Sequence, residues 1–551
     1  LGYLRDTLGT RQSDAPAIAG YRGGYLASER RCIEQGLRNG ELRGVVTTNA
    51  LELGVDIGDL RACVMAGYPG SVASAWQQSG RAGRRTAESV AVLVASPMPL
   101  DQYLVTNPKY FFGQSVEQAL VDPNNLVILA RHLACAAFEL PFDRDEEFGR
   151  FKQASVVLDS LAEEGLVHLS QRGYTWIGDG YPAAGLSLRT GLSDNVVIQE
   201  AGNTGVRVIG EMDRPSVPNL LHEGAVYMHG GETYVVETLD WNHGIAHVRA
   251  AEVDYYTRAS GTTDVEVDED YTAGASGTRA ALDSAEVCPA SLHLIRGYGE
   301  VLVTTRVSSY RRIKKYTHET LSHTPLELPE QLLSTIGCWF ILPDQLVVRL
   351  QAEGILPPPR DYGPNWPQQR DAARVRDKYH CRQCGVEERV GRQHDAHHLV
   401  PFRTFGYVPG ANDLYLQANQ LDNLVTLCST CHRQVERGQR ARGALSGLAY
   451  LIQNLAPLYL MCDPADLGTV VQLVAPGTHL PTVTFYDCVP GGVGLSARLY
   501  ELYDALLRAA LGVVAQCPCS DGCPACVGPV MNEEAGTKML TQRLLEVVLA
   551  Q

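Results

Sequence analysis

Residues 393–402 read QHDAHHLVPF, two adjacent histidines behind an aspartate and ahead of a short apolar run. A neutral imidazole can ligate a metal or take a proton from water at pH 7. His397 and His398 therefore admit two readings: a satisfied pair inside a core, or a metal ligand beside a general base. Their surroundings bear on the choice. CRQC supplies Cys381 and Cys384, CSTCH supplies Cys428, Cys431 and His432, and 43 residues lie between the two pairs. Four thiolates at such spacing can close a tetrahedral zinc site, which staples a module too small for a core of its own. The same framework also serves as a purely structural knuckle that binds DNA or a partner.

A second cluster lies near the C-terminus, where CPCSDGCPAC places Cys517, Cys519, Cys523 and Cys526 within ten residues. Thiolate softness and tetrahedral preference favour Zn²⁺, with an iron–sulfur cluster as the alternative. Eight of the 15 cysteines fall in these groups and no export signal precedes them. Paired thiols of this kind indicate metal in a reducing cytoplasm rather than a disulfide framework.

Two further segments, TTNALELGVDIG (47–58) and QQSGRAGRR (77–85), combine glycines that admit phosphates with arginines that neutralise them. They resemble motifs V and VI of superfamily 2 helicases, over roughly residues 1–110. The resemblance assigns nucleotide contact to Gln77, Gly80, Arg81, Arg84 and Asp56. Arg81 and Arg84 are the fingers that stabilise charge on the transferring phosphoryl group, and Thr48 touches the nucleic-acid backbone. Gln78 stands where many members carry Arg. A phosphate loop needs Gly-Lys-Ser/Thr, and Gly-Lys occurs nowhere in this chain. The first RecA lobe is therefore expected elsewhere in a longer polypeptide or a complex, and ATP turnover requires it.

These groups need elements to position them. SERRCIEQGLRN (28–39) reads as a helix, and GVVTTN, RACVMAGYPG and SVAVLVAS as buried strands alternating with helices, hence a parallel sheet. NNLVILARHLACAAFELP is helical, and 151–177 reads as a helix and hairpin, the outline of a winged helix. Short β-runs between about 185 and 305 suggest a small barrel. ILPPPRDYGPNWPQQR is a proline-dense junction leading into the Cys/His module. YRRIKKY (310–316) is a modest basic patch suited to a DNA backbone or to a solvated strand face. Asp487, in YDCVPGG, admits a catalytic reading, but an aspartate closing a strand before a glycine turn fits it better.

The Cys/His module resembles an HNH endonuclease, the ββα-metal fold, over about 360–440. That resemblance makes His397 and His432 ligands of a catalytic Mg²⁺ or Mn²⁺ and His398 the general base. It makes Asn423 the residue holding the loop that aims His398. Adjacent strand residues point to opposite sides, so a local distortion or shared cleft must bring both imidazoles to the site. The remainder, with FYDCVPGGVGLSARLYE and the C-terminal cysteines, is similar to MrfA-type bacterial DNA repair helicases, with the HNH module as an insertion.

The expected fold is multidomain α/β plus β-rich. The expected parts are a second RecA-like lobe (1–115), a helical segment and winged helix (116–182), a β-rich barrel-like domain leading into the C-terminal domain (183–343), the inserted HNH module (355–443) and an α/β zinc-binding domain (444–551). Length supports several cores, since 551 residues exceed what one hydrophobic core holds. A net charge of −15 argues against coating by nucleic acid but leaves room for local basic grooves. No apolar run approaches the ~20 residues of a membrane span. The combined expectation is a DNA translocase fused to a nuclease, in repair or defence. The alternative is a non-catalytic DNA-binding half with structural metal sites.

Overall fold

The computed structural model describes residues 4, 18–52, 57, 60–83, 88–113, 116–117, 122, 125–186, 195–202, 205–272, 294–353, 355, 362–382, 385–388, 393–399, 402–405, 407, 410, 412–428, 443–472, 475–476, 478, 480–528 and 537–550. Asp56, Arg84, Cys384, Cys431 and His432 lie outside them.

The N-terminal lobe pairs its strands in parallel: β1 (Ile18–Tyr21) with β2 (Gly44–Thr47), and β3 (Ala62–Ala66) with β4 (Val90–Val94). Helices α1 (Ala27–Arg38) and α2 (Val72–Ser79) follow β1 and β3, and α3 (Pro99–Thr106) follows β4. Tyr21, Leu37, Leu51 and Ile57 form the lobe's buried cluster.

Helices α4 (Leu126–Glu139) and α5 (Ala154–Glu163) pack with the hairpin β5 (Val167–Ser170) and β6 (Gly173–Trp176), the winged-helix outline. Asn125 caps α4 by accepting the Ile128 N–H, while its Nδ2 donates to the Pro490 and Gly492 carbonyls. One residue thus starts this helix and ties it to the C-terminal domain.

The next five strands are β7 (Asn195–Gly202), β8 (Gly205–Asp213), β9 (Val226–His229), β10 (Glu232–Asp240) and β11 (Ile245–Ala250), in sheet order β8-β7-β11-β10-β9. This β-rich region does not close into the expected small barrel among the described residues. β7 and β11 join two antiparallel groups in parallel, which carries β8 and β9 to opposite edges. The edge of β8 is occupied by the N-terminal lobe instead, through a bridge between Tyr25 and Gly210 and a Glu211 N–H bond to the Gly24 carbonyl at 3.1 Å.

The second sheet runs from the β-rich region into the C-terminal domain. Long strands β12 (Tyr255–Asp270), β13 (Ile295–Lys314) and β15 (Gln331–Ile341) continue into β18 (Leu467–Gln472) and β19 (Thr482–Asp487), with β14 (Thr320–Pro325) added to β13. β15 and β19 pair antiparallel from Gly337↔Tyr486 to Ile341↔Thr482. The C-terminal core rests on this sheet and is built by α6 (Asp344–Ala352), α8 (Ala444–Leu460), α9 (Leu495–Glu501), α10 (Tyr503–Gln516) and α11 (Thr537–Leu549). Ile355 and Ala444 belong to that same buried cluster. The chain leaves the core at one and returns at the other, as an inserted module requires. No helix among the described residues is long and apolar enough to cross a membrane.

Asp487 bears out its structural reading. It is fully buried, and its carboxylate accepts the N–H groups of Val493, Gly494, Leu495 and Ser496 and the Ser496 hydroxyl at 2.6–3.2 Å. An anion here satisfies the donors that a helix start leaves open. Asp487→Ala strands these buried groups and is expected to cost about 3–5 kcal/mol, measured as a fall in the urea midpoint. Asp487→Asn retains an acceptor and should lose roughly half of that.

Candidate functional site

The motif V and VI segments meet at a residue that sequence reading passed over. Glu52 is buried, and its carboxylate accepts from Ser74 Oγ (2.9 Å) and Gln78 Nε2 (2.7 Å) on α2. Its carbonyl accepts from the Arg81 guanidinium. The Gln78 departure therefore has a partner, since an amide reaches this carboxylate as a neutral donor. Ser71 caps α2 by accepting the Ser74 N–H at 3.0 Å, and Glu117 takes the N–H groups of Val72 and Ala73. Gly83 sits at φ +82°, and a Cβ there would overlap the Ser89 hydroxyl. Gln77 and Arg81 are half-buried, while Gly80 and Thr48 are exposed. A glutamate inside ELG with no charged neighbour in sequence gave little sign of this role.

In the Cys/His module, β16 (Asp395–His398) pairs antiparallel with β17 (Leu424–Leu427), His397 opposite Val425 and His398 opposite Leu424. Helix α7 (Trp366–Arg376), which precedes both strands, packs against them through Ala373, Ala396 and Leu424; the segment after β17, where a ββα order places its helix, lies outside the described residues. Two ion pairs hold the helix. Arg376 bonds Asp377 and the Leu421 and Leu424 carbonyls, and Asp377 accepts the Thr426 N–H. Arg374 grips Glu388, which in turn accepts the His394 N–H. These contacts hold both carboxyl groups below their ordinary range: Arg374 bonding dominates at Glu388, and Arg376 and Thr426 bonding overcomes burial at Asp377.

The two histidines part company. His398 is buried, with its ring stacked on Trp366 (4.9 Å between centroids) and Tyr362 (5.1 Å) and edge-on to Phe402 (5.2 Å). His397 is half-exposed on the opposite face of the hairpin. Asn419, fully buried, places Oδ1 2.8 Å from His398 Nε2. Its Nδ2 donates to the Tyr362 carbonyl (2.5 Å) and Asn365 Oδ1 (2.7 Å). Both amide hydrogens are thus committed to oxygens, so the Asn419 oxygen faces the ring and Nε2 carries the proton. The lone pair then sits on Nδ1. Asn423 bonds the Ala418 carbonyl at 2.8 Å, and its own carbonyl accepts the Leu399 N–H. Asn423 therefore holds the turn, while Asn419 touches the imidazole, a distinction that sequence reading missed with two asparagines four residues apart.

Cys381 and Cys428 are buried in one small cluster with Leu427. Gly385, at φ +75°, closes a turn onto the Cys381 carbonyl, and the Arg382 N–H bonds the Thr426 carbonyl. This turn is laid against the strand that ends at Cys428.

The C-terminal knot is complete. Sγ–Sγ distances are 3.4 Å for Cys517–Cys519, 3.5 Å for Cys517–Cys523, 3.6 Å for Cys519–Cys526 and 3.7 Å for Cys523–Cys526. A disulfide would bring two sulfurs to about 2 Å. A tetrahedron with metal–sulfur bonds of about 2.3 Å has edges of about 3.8 Å, so the donor set fits one zinc ion. An iron–sulfur cluster spreads its thiolates around several metal atoms and does not match all four ligand atoms lying within 4.8 Å. Lys538 Nζ donates to the Cys517 and Cys519 carbonyls at 2.6 Å each, locking α11 onto the knot.

Four family models match the chain: the helicase conserved C-terminal domain over 6–86, the HRQ1 winged helix domain over 121–191, the HNH endonuclease over 381–438 and the MrfA Zn-binding domain over 448–527. Among curated proteins, the chain is 38% identical over 534 residues to the uncharacterized ATP-dependent helicase YprA of Bacillus subtilis, covering 97% of this chain and 57% of that one. It is 27% identical over 561 residues to the ATP-dependent helicase HRQ1 of Saccharomyces cerevisiae, covering 98% of this chain and 42% of that protein. The crystal structure of the DUF1998 helicase MrfA bound to DNA matches with a TM-score of 0.57 at 36% identity, over 98% of this chain and 58% of that chain. The MrfA complex with DNA and AMPPNP matches with a TM-score of 0.56 at 34% identity, over 99% and 58% of the two chains. The chain spans about half the length of these relatives.

Proposed function

From a chain that is of the MrfA type of superfamily 2 helicase, with an HNH module set into it, we infer part of an ATP-dependent DNA translocase fused to a metal-dependent DNA endonuclease. The observation that carries the nuclease is the β16–β17 pair, which presents His397 and His398 on a strand paired residue for residue with the one that leads into Cys428. In this reading His397 and His432 would hold Mg²⁺ or Mn²⁺, and Cys381, Cys384, Cys428 and Cys431 a structural zinc; His397 lies on the strand face opposite His398, so cleavage requires a rearrangement that brings both rings to one phosphate. When bound, the divalent cation polarises the scissile phosphate and steadies the leaving oxygen. His398 takes the proton from water at Nδ1, and Asn419 keeps its tautomer.

The motor half couples DNA to nucleotide through Thr48, Asp56, Gln77, Gly80, Arg81 and Arg84, with ATP completed by a first RecA lobe in the same polypeptide or a complex. The bond from Arg81 to the Glu52 carbonyl supports this by fixing a finger against the motif V loop. The DNA assignment rests on the MrfA complexes. Repair and defence both suit such a protein, and a reducing cytoplasm suits its thiolates.

One observation favours a second reading. His398 is buried among three rings, as a structural histidine would be, which makes the module a DNA-binding fold without cleavage. Supercoiled plasmid incubated with this chain and Mg²⁺ or Mn²⁺ separates the two. Nicked circles that vanish with EDTA are expected. Intact plasmid under every metal condition, from protein with its zinc in place, defeats the nuclease.

A further inference from the structure

The hairpin joining β13 to β14 is built to meet something. Its tip, Lys314-Lys315-Tyr316-Thr317-His318, exposes Tyr316 to 93%. Tyr316 and His318 both adopt left-handed backbone, φ 70° and 57°. Non-glycine residues rarely do this, and a surrounding structure must hold them there. The hold is visible. The Lys314 N–H bonds the Glu319 carbonyl at 2.8 Å, the Lys315 N–H bonds the Asp254 carbonyl at 2.7 Å, and the His318 N–H bonds the Lys314 carbonyl at 3.1 Å. Lys315 Nζ reaches the Val253 carbonyl at 2.8 Å, and the Tyr256 hydroxyl lies 3.2 Å from His318 Nδ1. A rigid turn therefore holds a large aromatic ring in water.

Behind the tip two arginines and a histidine line up across three strands. Antiparallel registers set Arg258 of β12 opposite Arg311 of β13, and Arg311 opposite His323 of β14. Like charges facing each other across strands destabilise a sheet. None of the three has a carboxylate partner among the described residues. The acidic residues of the tip, Asp254 and Glu319, bond it through their main-chain carbonyls. Arg311 Nε and the neighbouring Ser309 Oγ are buried without a hydrogen-bond partner. The ribbon is also polarised: Asp264, Glu266, Asp268, Glu269 and Asp270 occupy the far half of β12, while Arg311, Arg312, Lys314 and Lys315 cluster toward the end that carries Tyr316.

We propose that this hairpin is a single-stranded DNA contact, with a base stacked on Tyr316 and successive phosphates on the Arg258–Arg311–His323 row. A strand rises about 3.3 Å per residue, which puts the ring roughly 15 Å beyond Arg311, a span of two or three nucleotides. Arginine forks suit phosphate oxygens, and an exposed tyrosine accepts any base face, so the contact reads no sequence. The inference rests on the DNA reading above and adds where and how the strand is gripped.

Fluorescein-labelled oligothymidylate titrated into the whole chain, with anisotropy read at several salt concentrations, tests it. Tyr316→Ala is expected to weaken binding about 5- to 150-fold with the salt slope unchanged, and Tyr316→Trp to restore it. The Arg258→Gln/Arg311→Gln pair should reduce the log–log salt slope by about 1.4. Wild-type binding that Tyr316→Ala leaves within twofold overturns the hairpin contact and leaves the DNA reading standing. A larger loss on duplex than on single strands overturns it too. A wild-type chain that nicks plasmid yet binds no single strand overturns the proposal alone; failure of both assays overturns both.

Discussion

Removing zinc from the C-terminal knot is expected to unfold the domain that surrounds it. Cys526 and Val527 are buried in the same core as Leu448, Ile452, Phe485, Leu506 and Leu544. The knot therefore forms one wall of that core. Lys538 bonds three of its carbonyls, two through Nζ and that of Asp521 through its own N–H at 3.0 Å, so α11 depends on the knot's shape. Structural zinc contributes about 10–16 kcal/mol in small zinc-finger systems, comparable to the whole net stability of a domain at about 5–15 kcal/mol. Four sulfurs this close without a cation repel as thiolates and leave the chain termini of the knot untethered. Cys523→Ser, or prolonged chelation, should abolish the highest cooperative transition in a thermal melt, and metal analysis should find zinc released in step. A zinc-free protein with an unchanged melt would sink the expectation, as would iron with visible absorption.

How much of this was legible in the sequence follows from how local each signal is. The knot was legible because its four ligands lie within ten residues and one turn brings them together. Motif VI was legible because glycine positions such as Gly83, where a Cβ would overlap Ser89, tolerate no other residue. Asp487 was legible as a strand end before a glycine turn, although its four amide partners were not. Long-range partners leave no such trace. Glu52 works on Ser74 and Gln78 across 22 and 26 residues. Asn419 meets His398 across 21 residues, and Asn365 across 54. The open order of the five strands among the described residues was hidden for the same reason. Strand periodicity shows that a strand exists and which face it buries. It does not show that β7 pairs with β11 in parallel, or that Tyr25, 185 residues earlier, covers the edge of β8 at Gly210. The break after 343 followed the family resemblance, and β15 pairing with β19 across the insertion shows which strands join there, a pairing no local pattern carries.

His398→Ala is expected to cut metal-dependent nicking about 100- to 10,000-fold, the range lost when a general base is removed, with zinc content unchanged. The buried ring makes this the decisive substitution, because a structural histidine in the same box would show its loss in the melting temperature instead. Asn419 sharpens the comparison. Its amide hydrogens are held by the Tyr362 carbonyl and Asn365 Oδ1, so only its oxygen can face Nε2. Asn419→Ala frees the ring to take the other tautomer, which protonates Nδ1 and removes the acceptor that water needs. An orienting contact of this kind is typically worth 10- to 100-fold. Asn419→Asp keeps an acceptor beside Nε2 but gives up both donations, so it should retain more activity than Asn419→Ala while melting lower than the wild type. Under a purely structural role the order of activities has no reason to follow acceptor chemistry, and the two Asn419 variants should rank by stability alone. Nicking rates that track melting temperature across all three variants would therefore reassign His398 to the core. Rates that follow the acceptor at position 419 would place the proton transfer at its Nδ1.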